Sequence, residues 1–203
     1  TELRERMDRV CGEHGVTPLM LLRNAVALTW WLHGAGRDIP LGSTVALRED
    51  LADEQRAVGY FVNSMVVRCA VDATGTVAEN LAAVRGASLR ALEHSGLPFE
   101  RVVDLVSPQR QRARHPLFQT LVSHEAPAPT PGIGALETSE VTVRTTTSRF
   151  DVGVWLVDGD TSSLRVVGFA DLFDAETVSA LAHRVLRVLE QVVEDPRRAV
   201  AAL

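Results

Sequence analysis

The sequence predicts an α/β fold, a two-layer sandwich of a mixed sheet with flanking helices. Three observations carry that expectation. Apolar residues recur with helical spacing near both ends of the chain and again over residues 77–95. Between those stretches lie short runs rich in Val, Leu and Thr, some joined by turn residues and others separated by whole helices. No internal repeat is visible, and 203 residues at 46% apolar content suffice for one sizeable core.

Residues 2–13 place Leu3, Met7, Val10 and Cys11 at helical spacing and stop at Gly15. Thr17-Pro18 then offers an N-cap with proline at the first helical position. The helix that follows is apolar almost all round, through Leu22, Val26, Trp30 and Trp31, and ends near Gly34. Such a helix belongs inside a core. Residues 39–46 read as a strand, residues 48–56 as a charged loop, and residues 60–71 as a second strand. Thr76-x-x-Glu79 is a capping-box pattern that opens a helix to about Ser95, with Leu81, Val84, Ala87 and Leu92 as its apolar stripe.

Gly96 ends that helix, and Pro98 starts a short one carrying Phe99, Val102, Val103 and Val106. Strand-like runs follow at 117–122, 141–145, 150–157 and 164–169, with Asp158-Gly159 signalling a hairpin between the last two. Asp174 caps a final amphipathic helix through Leu181, Val185, Leu189 and Val192, and Pro196 follows it. Residues 126–132 are rich in Pro and Gly and predict an extended loop.

A net charge of −5 with interspersed signs argues against nucleic acid as a partner, because that needs a clustered basic face. All 21 basic residues are arginine, so a lysine Schiff base or lysine general base is excluded. Cys11 and Cys69 lack the number and spacing of a zinc site or disulfide framework, and read as buried reduced thiols in a cytoplasmic protein. The most apolar stretch, 19–32, is too short to span a bilayer and is broken by Arg23 and Asn24, so no membrane association is expected. No pair among the six histidines has metal-ligand spacing, no Gly-x-Ser-x-Gly turn exists, and no glycine-rich phosphate loop occurs.

Three blocks in order carry a resemblance. They are Val58-Gly59-Tyr60-Phe61-Val62-Asn63-Ser64, Gly96-Leu97-Pro98-Phe99-Glu100 and Arg114-His115-Pro116-Leu117-Phe118. Ahead of them stand Glu13-His14-Gly15-Val16-Thr17-Pro18 and the strand running from Asp38 to Arg48; after them come Arg149-Phe150-Asp151-Val152 and Asp171-Leu172-Phe173. As an ordered set these resemble the second half of a condensation domain from nonribosomal peptide synthetases. Gly59, Phe61, Pro98, Phe99, Glu100 and Pro116 are its structural motif positions. Ser95-Gly96 stands where Gln-Asp is common in that family, Gln111 and Ala113 where Asp and Ser are usual, and Ser64 where Thr is common.

The resemblance implies a half domain with the chloramphenicol acetyltransferase-like fold, the C-terminal lobe of a V-shaped pair, over residues 1–203. It implies a tunnel between lobes that admits 4'-phosphopantetheine arms of carrier proteins as substrates, with no cofactor bound directly. The implied partners are the missing N-terminal lobe, upstream and downstream peptidyl carrier proteins, and an adjacent adenylation domain. The family's His-His-x-x-x-Asp-Gly block lies on the other lobe, and this chain has no His-His, so no catalytic residue is assigned here. The helix that starts at once after Thr1 reads as an internal cut. A segment of about residues 124–149 is expected to cross to the other lobe.

Aminolysis of a thioester needs close placement, worth roughly 7–11 kcal/mol, and proton management, worth about 10²–10⁴-fold. Only the first is expected of this lobe. Ser43 and Asn63 are the candidate tunnel-facing polar groups, since each sits on an otherwise apolar strand; satisfying neighbouring backbone groups is their alternative role. Arg110, Arg112 and Arg114 are candidates to contact a pantetheine phosphate or acidic carrier protein, or are solvated, with Arg114 paired to Glu100. His115 reads as structural. Two other functions stay open: a non-catalytic relative that docks a tailoring oxygenase, and an epimerisation or heterocyclisation relative.

Overall fold

The computed structural model describes residues 2–47, 58–107, 114–126, 134, 148–159 and 162–203. Its elements in order are α1 (Glu2–His14), α2 (Pro18–Leu32), β1 (Asp38–Ala46), β2 (Val62–Ala70), α3 (Val77–Glu93), α4 (Phe99–Val106), β3 (Thr120–Glu125), β4 (Val152–Val157), β5 (Ser163–Gly168) and α5 (Ala175–Glu194). The sheet order is β2-β1-β3-β4-β5. The outer pairs β1–β2 and β4–β5 are antiparallel, and the inner pairs β1–β3 and β3–β4 are parallel. The sheet is therefore mixed, as the sequence predicts, and α2, α3 and α5 pack against it.

Local chemistry sets the boundaries of the helices. Gly15 takes a left-handed φ of +61° and ends α1. Thr17 accepts a hydrogen bond from the Met20 N–H and starts α2. Thr76 and Glu79 form the expected reciprocal capping box on α3, and Asp174 caps α5 through the Thr177 N–H. Leu21 through Thr29 of α2 are all buried, because α1, α3, α5 and the sheet surround it. That residue run includes Arg23 and Asn24, whose polar atoms go inside with the rest.

The core joins Val10, Leu22, Val26, Leu41, Val67, Leu81, Val154, Val185 and Leu189 across all layers. At the far end of β4, Asp158 accepts hydrogen bonds from Arg4 and pairs with His124 at 2.8 Å. Burial opposes ionisation of Asp158, but the bonds from His124 and Arg4 outweigh it and hold the carboxyl below its usual range. This cluster ties α1 to the ends of β3 and β4.

Some expectations shift. The run predicted at 117–122 pairs only from Thr120, and it continues to Glu125. The second strand starts at Val62, leaving Tyr60 exposed. Leu92 is 48% exposed rather than part of the α3 stripe, and on α4 only Val103 is buried while Val106 is exposed. Both helices rest on the sheet edge, so their apolar stripes exceed the surface available to cover them. The hairpin signal at Asp158-Gly159 holds as an antiparallel pair, with a connection longer than two residues. The charged loop at 48–56, the run at 141–145, and most of the expected crossover segment lie outside the described residues.

Candidate functional site

Three distant blocks of sequence meet at one end of the sheet. β2 enters there with Asn63 on its first turn of pairing, and the connection between α3 and α4 passes beside it. The Asn63 amide donates to the carbonyls of Ser95 and Leu97 at 2.8 and 2.7 Å. Its Oδ1 accepts from the N–H groups of Ser64 and Phe99 at 2.9 and 3.1 Å. That uses the full hydrogen-bonding capacity of a carboxamide. Asn63 clasps the loop that carries Gly96, Leu97 and Pro98, and it has no donor left for a ligand.

Ser43 is fully buried, and its Oγ donates to the Val122 carbonyl at 2.8 Å. The parallel ladder between β1 and β3 covers only Leu41 with Thr120 and Gly42 with Leu121, so Ser43 extends that junction by one side-chain bond. Both side chains hydrogen-bond to neighbouring backbone, and Asn63 also lines the cleft beside it.

A cleft of about 420 Å³ lies beyond Asn63, between Tyr60, Val62 and Ser64 on one side and Pro98, Phe99 and Glu100 on the other. His115, Arg149 and Phe150 close it. The floor is an aromatic cluster. The His115 ring stacks on Phe99 at 5.3 Å and sits 3.9 Å from Phe118, which stacks in turn on Phe150 at 5.3 Å. Phe118 itself lies flat against Gly42 of β1: a Cβ there would come within 2.0 Å of the ring. Glycine in this strand is a seat for an aromatic side chain. Gly59 plays a similar part for Phe61, whose ring lies 2.8 Å from where a Cβ would stand.

Desolvation pushes the His115 pKa down, an effect only partly offset by the Phe118 backbone. The imidazole is therefore neutral near pH 7, with a buried Nδ1. Pro98 caps α4 from extended backbone, and Glu100 is exposed in its first turn, where a negative charge suits the helix dipole. Pro116 is half-buried between His115 and Leu117. Arg114 is exposed, and no ion pair joins it to Glu100. Arg110 and Arg112 lie outside the described residues.

The cleft joins apolar and aromatic surface to the polar side chains of Ser64, Glu100 and Arg149. Sequence reasoning found its walls through the blocks containing Asn63, Phe99 and His115. It missed that the lining residues His115 and Phe150 back onto Phe118, which is buried beneath the cleft against Gly42. The signal was present in Gly42, a glycine inside a strand of bulkier residues.

A family model for the condensation domain matches residues 1–203, and the chain belongs to that family. It is 36% identical over 206 residues to CymA of Salinispora arenicola, a probable non-canonical nonribosomal peptide synthetase, covering 96% of this chain and 3% of that protein. It is 32% identical over 212 residues to a dimodular nonribosomal peptide synthase of Bacillus subtilis, covering 100% of this chain and 9% of the other. Among solved structures it resembles the X-domain from teicoplanin biosynthesis at 30% identity and a TM-score of 0.89, covering 98% of this chain and 46% of that one. The same X-domain in complex with OxyB superposes with a TM-score of 0.85. The chain thus spans under a tenth of these curated relatives and just under half of the solved chains. No helix among the described residues is long and apolar enough to cross a membrane.

Proposed function

We propose that this chain is one lobe of a condensation domain in a nonribosomal peptide synthetase and forms one wall of the tunnel where two carrier-bound thioesters meet. The observation that carries this reading is the convergence of the three motif blocks on one cleft with an aromatic floor. Its groups suit placement. Aromatic and aliphatic surface receives the pantetheine and acyl chain, Ser64 and the loop held by Asn63 set the width, and Glu100 and Arg149 line the wall. His115 is neutral, half-buried among rings and supported from both sides, so it positions more than it moves protons. The proton-transferring histidines of the reaction belong to the lobe that precedes this one. Arg110, Arg112 and Arg114 extend the reading to a contact with the pantetheine phosphate or the carrier protein.

The test is a single-turnover condensation assay with acyl- and aminoacyl-loaded carrier proteins. The chain joined to its preceding lobe forms the amide, and the chain alone does not. Amide formation by the chain alone ends the proposal. A second reading is favoured by the likeness to the X-domain whose complex with OxyB is known: a docking platform for a tailoring oxygenase. A joined pair of lobes that retains an oxygenase on size-exclusion chromatography but forms no amide supports that reading instead.

A further inference from the structure

The edge of the sheet at β2 carries a feature unrelated to the cleft. In the antiparallel pair β1–β2, the Leu47 N–H bonds to the Phe61 carbonyl and the Val71 N–H bonds to the Arg37 carbonyl. Pairing alternates along such a ladder, so odd-numbered residues of β2 direct their backbone groups to β1. Even-numbered residues direct theirs outward. Ser64 is one of these, and its outward N–H is taken by the Asn63 side chain. Past Ser64 the outward positions are Val66, Arg68 and Ala70. These are the β2 residues that line an open groove of about 680 Å³ between the strand edge and α3.

α3 contributes Ala87, Arg90 and Ala91 to that groove, so among the described residues no large apolar side chain of α3 covers the strand edge. Natural sheets usually shield such an edge. Three arginines surround it: Arg68 on the strand, Arg90 on α3 and Arg37 at the lead into β1. Arg68 is paired with Asp38, while the guanidinium groups of Arg37 and Arg90 make no hydrogen bond or ion pair, though Asp72 lies near enough to Arg37 to feel its charge. Against Asp38 in the groove and Asp72 beside Arg37, the three arginines leave a local excess of positive charge in a chain of net charge −5, beside a ladder edge that is unpaired among the described residues.

We propose that the outer edge of β2 is a docking edge for an acidic, extended peptide segment of a partner, added as a further strand. Side chains of an added strand alternate between faces. Acidic residues on one face meet Arg68, those on the other meet Arg90, and the backbone completes the ladder at Val66, Arg68 and Ala70. This inference does not depend on the tunnel reading above.

The probe is a capped, fluorescein-labelled peptide of repeating Val-Val-Glu-Glu, which puts glutamates on both faces of a strand, read by anisotropy against the whole chain and by amide exchange of β2. Binding that weakens with salt, protects the even-numbered β2 amides and fails for the valine–lysine counterpart is the expected result. Arg68→Ser and Arg90→Ser each weaken it by about fivefold or more. Val66→Pro abolishes it while the fold stays intact, because the proline replaces an outward N–H. If that variant misfolds, the two arginine variants still decide the matter. No binding, equal binding of the lysine peptide, or binding without protection of β2 overturns the proposal. Displacement by inorganic pyrophosphate without amide protection overturns it in favour of a small-anion site.

Discussion

Asn63 shows how a single side chain can fix one wall of a cleft by clasping a neighbouring loop. Its four hydrogen bonds hold the connection between α3 and α4 against β2. Asn63→Ala leaves the Ser95 and Leu97 carbonyls without that partner, at a cost of about 1–3 kcal/mol in urea unfolding. Asn63→Asp keeps the shape but turns a carboxylate toward two carbonyl oxygens, and it is expected to be at least as destabilising. A well-tolerated aspartate would remove the clasp from the account.

Two other residues are decided by burial. His115 is neutral in the fold because desolvation holds its pKa below the unfolded value. The folded state therefore binds fewer protons than the unfolded chain as pH falls through about 6.5, and stability drops below that point. His115→Phe keeps the ring contacts and removes the titration. Its stability advantage over the parent should widen from pH 7.5 to pH 5, measured as urea midpoints, and a constant difference contradicts the assignment. Arg23 is only 2% exposed and its one hydrogen bond goes to Ser88. Burial pushes its pKa down to about 10, so it stays charged near neutrality, beside a Cys69 thiol pushed up to about 12. No carboxylate among the described residues pairs with it. Arg23→Met is expected to be neutral or to stabilise by about 1–4 kcal/mol, as replacement of buried charge by fitted apolar volume often does. A loss beyond about 1 kcal/mol points to a role for the guanidinium that the packing does not reveal.

At the scale of elements, the sequence was most legible where local chemistry decides. Thr17, Thr76, Asp174 and Gly15 mark helix ends through hydrogen bonds and φ values that depend on near neighbours. It was less legible where a boundary depends on what lies across the sheet. β3 begins at Thr120, where its ladders to β1 and β4 both start, although the apolar run begins at Leu117. The α4 stripe is plain in sequence, yet nothing local tells that one helix at the sheet edge covers only Val103. The cleft divides in the same way. Its walls were named from motif blocks, while its floor needs the register that puts Gly42 under Phe118. Gly42→Ala tests that floor: the added methyl overlaps the Phe118 ring and is expected to cost about 1–3 kcal/mol. Adding Phe118→Leu should recover part of that loss, since the leucine leaves room for the methyl. Additive costs in the double variant place the strain elsewhere.

For the whole molecule, part of the exposed apolar surface lies at the cleft. Leu47, Val58, Tyr60, Val62 and Leu97 are all exposed, and Leu47, Tyr60 and Val62 stand at the mouth of the cleft. Apolar side chains gathered at the rim of a groove are typical of an interaction surface. On the proposed function this rim faces the other lobe and the tunnel. The chain offers its own reporter, because Tyr60 is its one tyrosine and is 89% exposed. Iodination followed by peptide mapping should modify Tyr60 readily in the isolated chain. In the chain joined to its preceding lobe, the same residue should react several-fold more slowly, and loading the carrier substrates should slow it further. Equal reactivity in both forms would mean that the rim stays in open solvent when the domain is complete. The cleft would then lie outside the interface between lobes, and the tunnel reading would fail even though the family assignment stands.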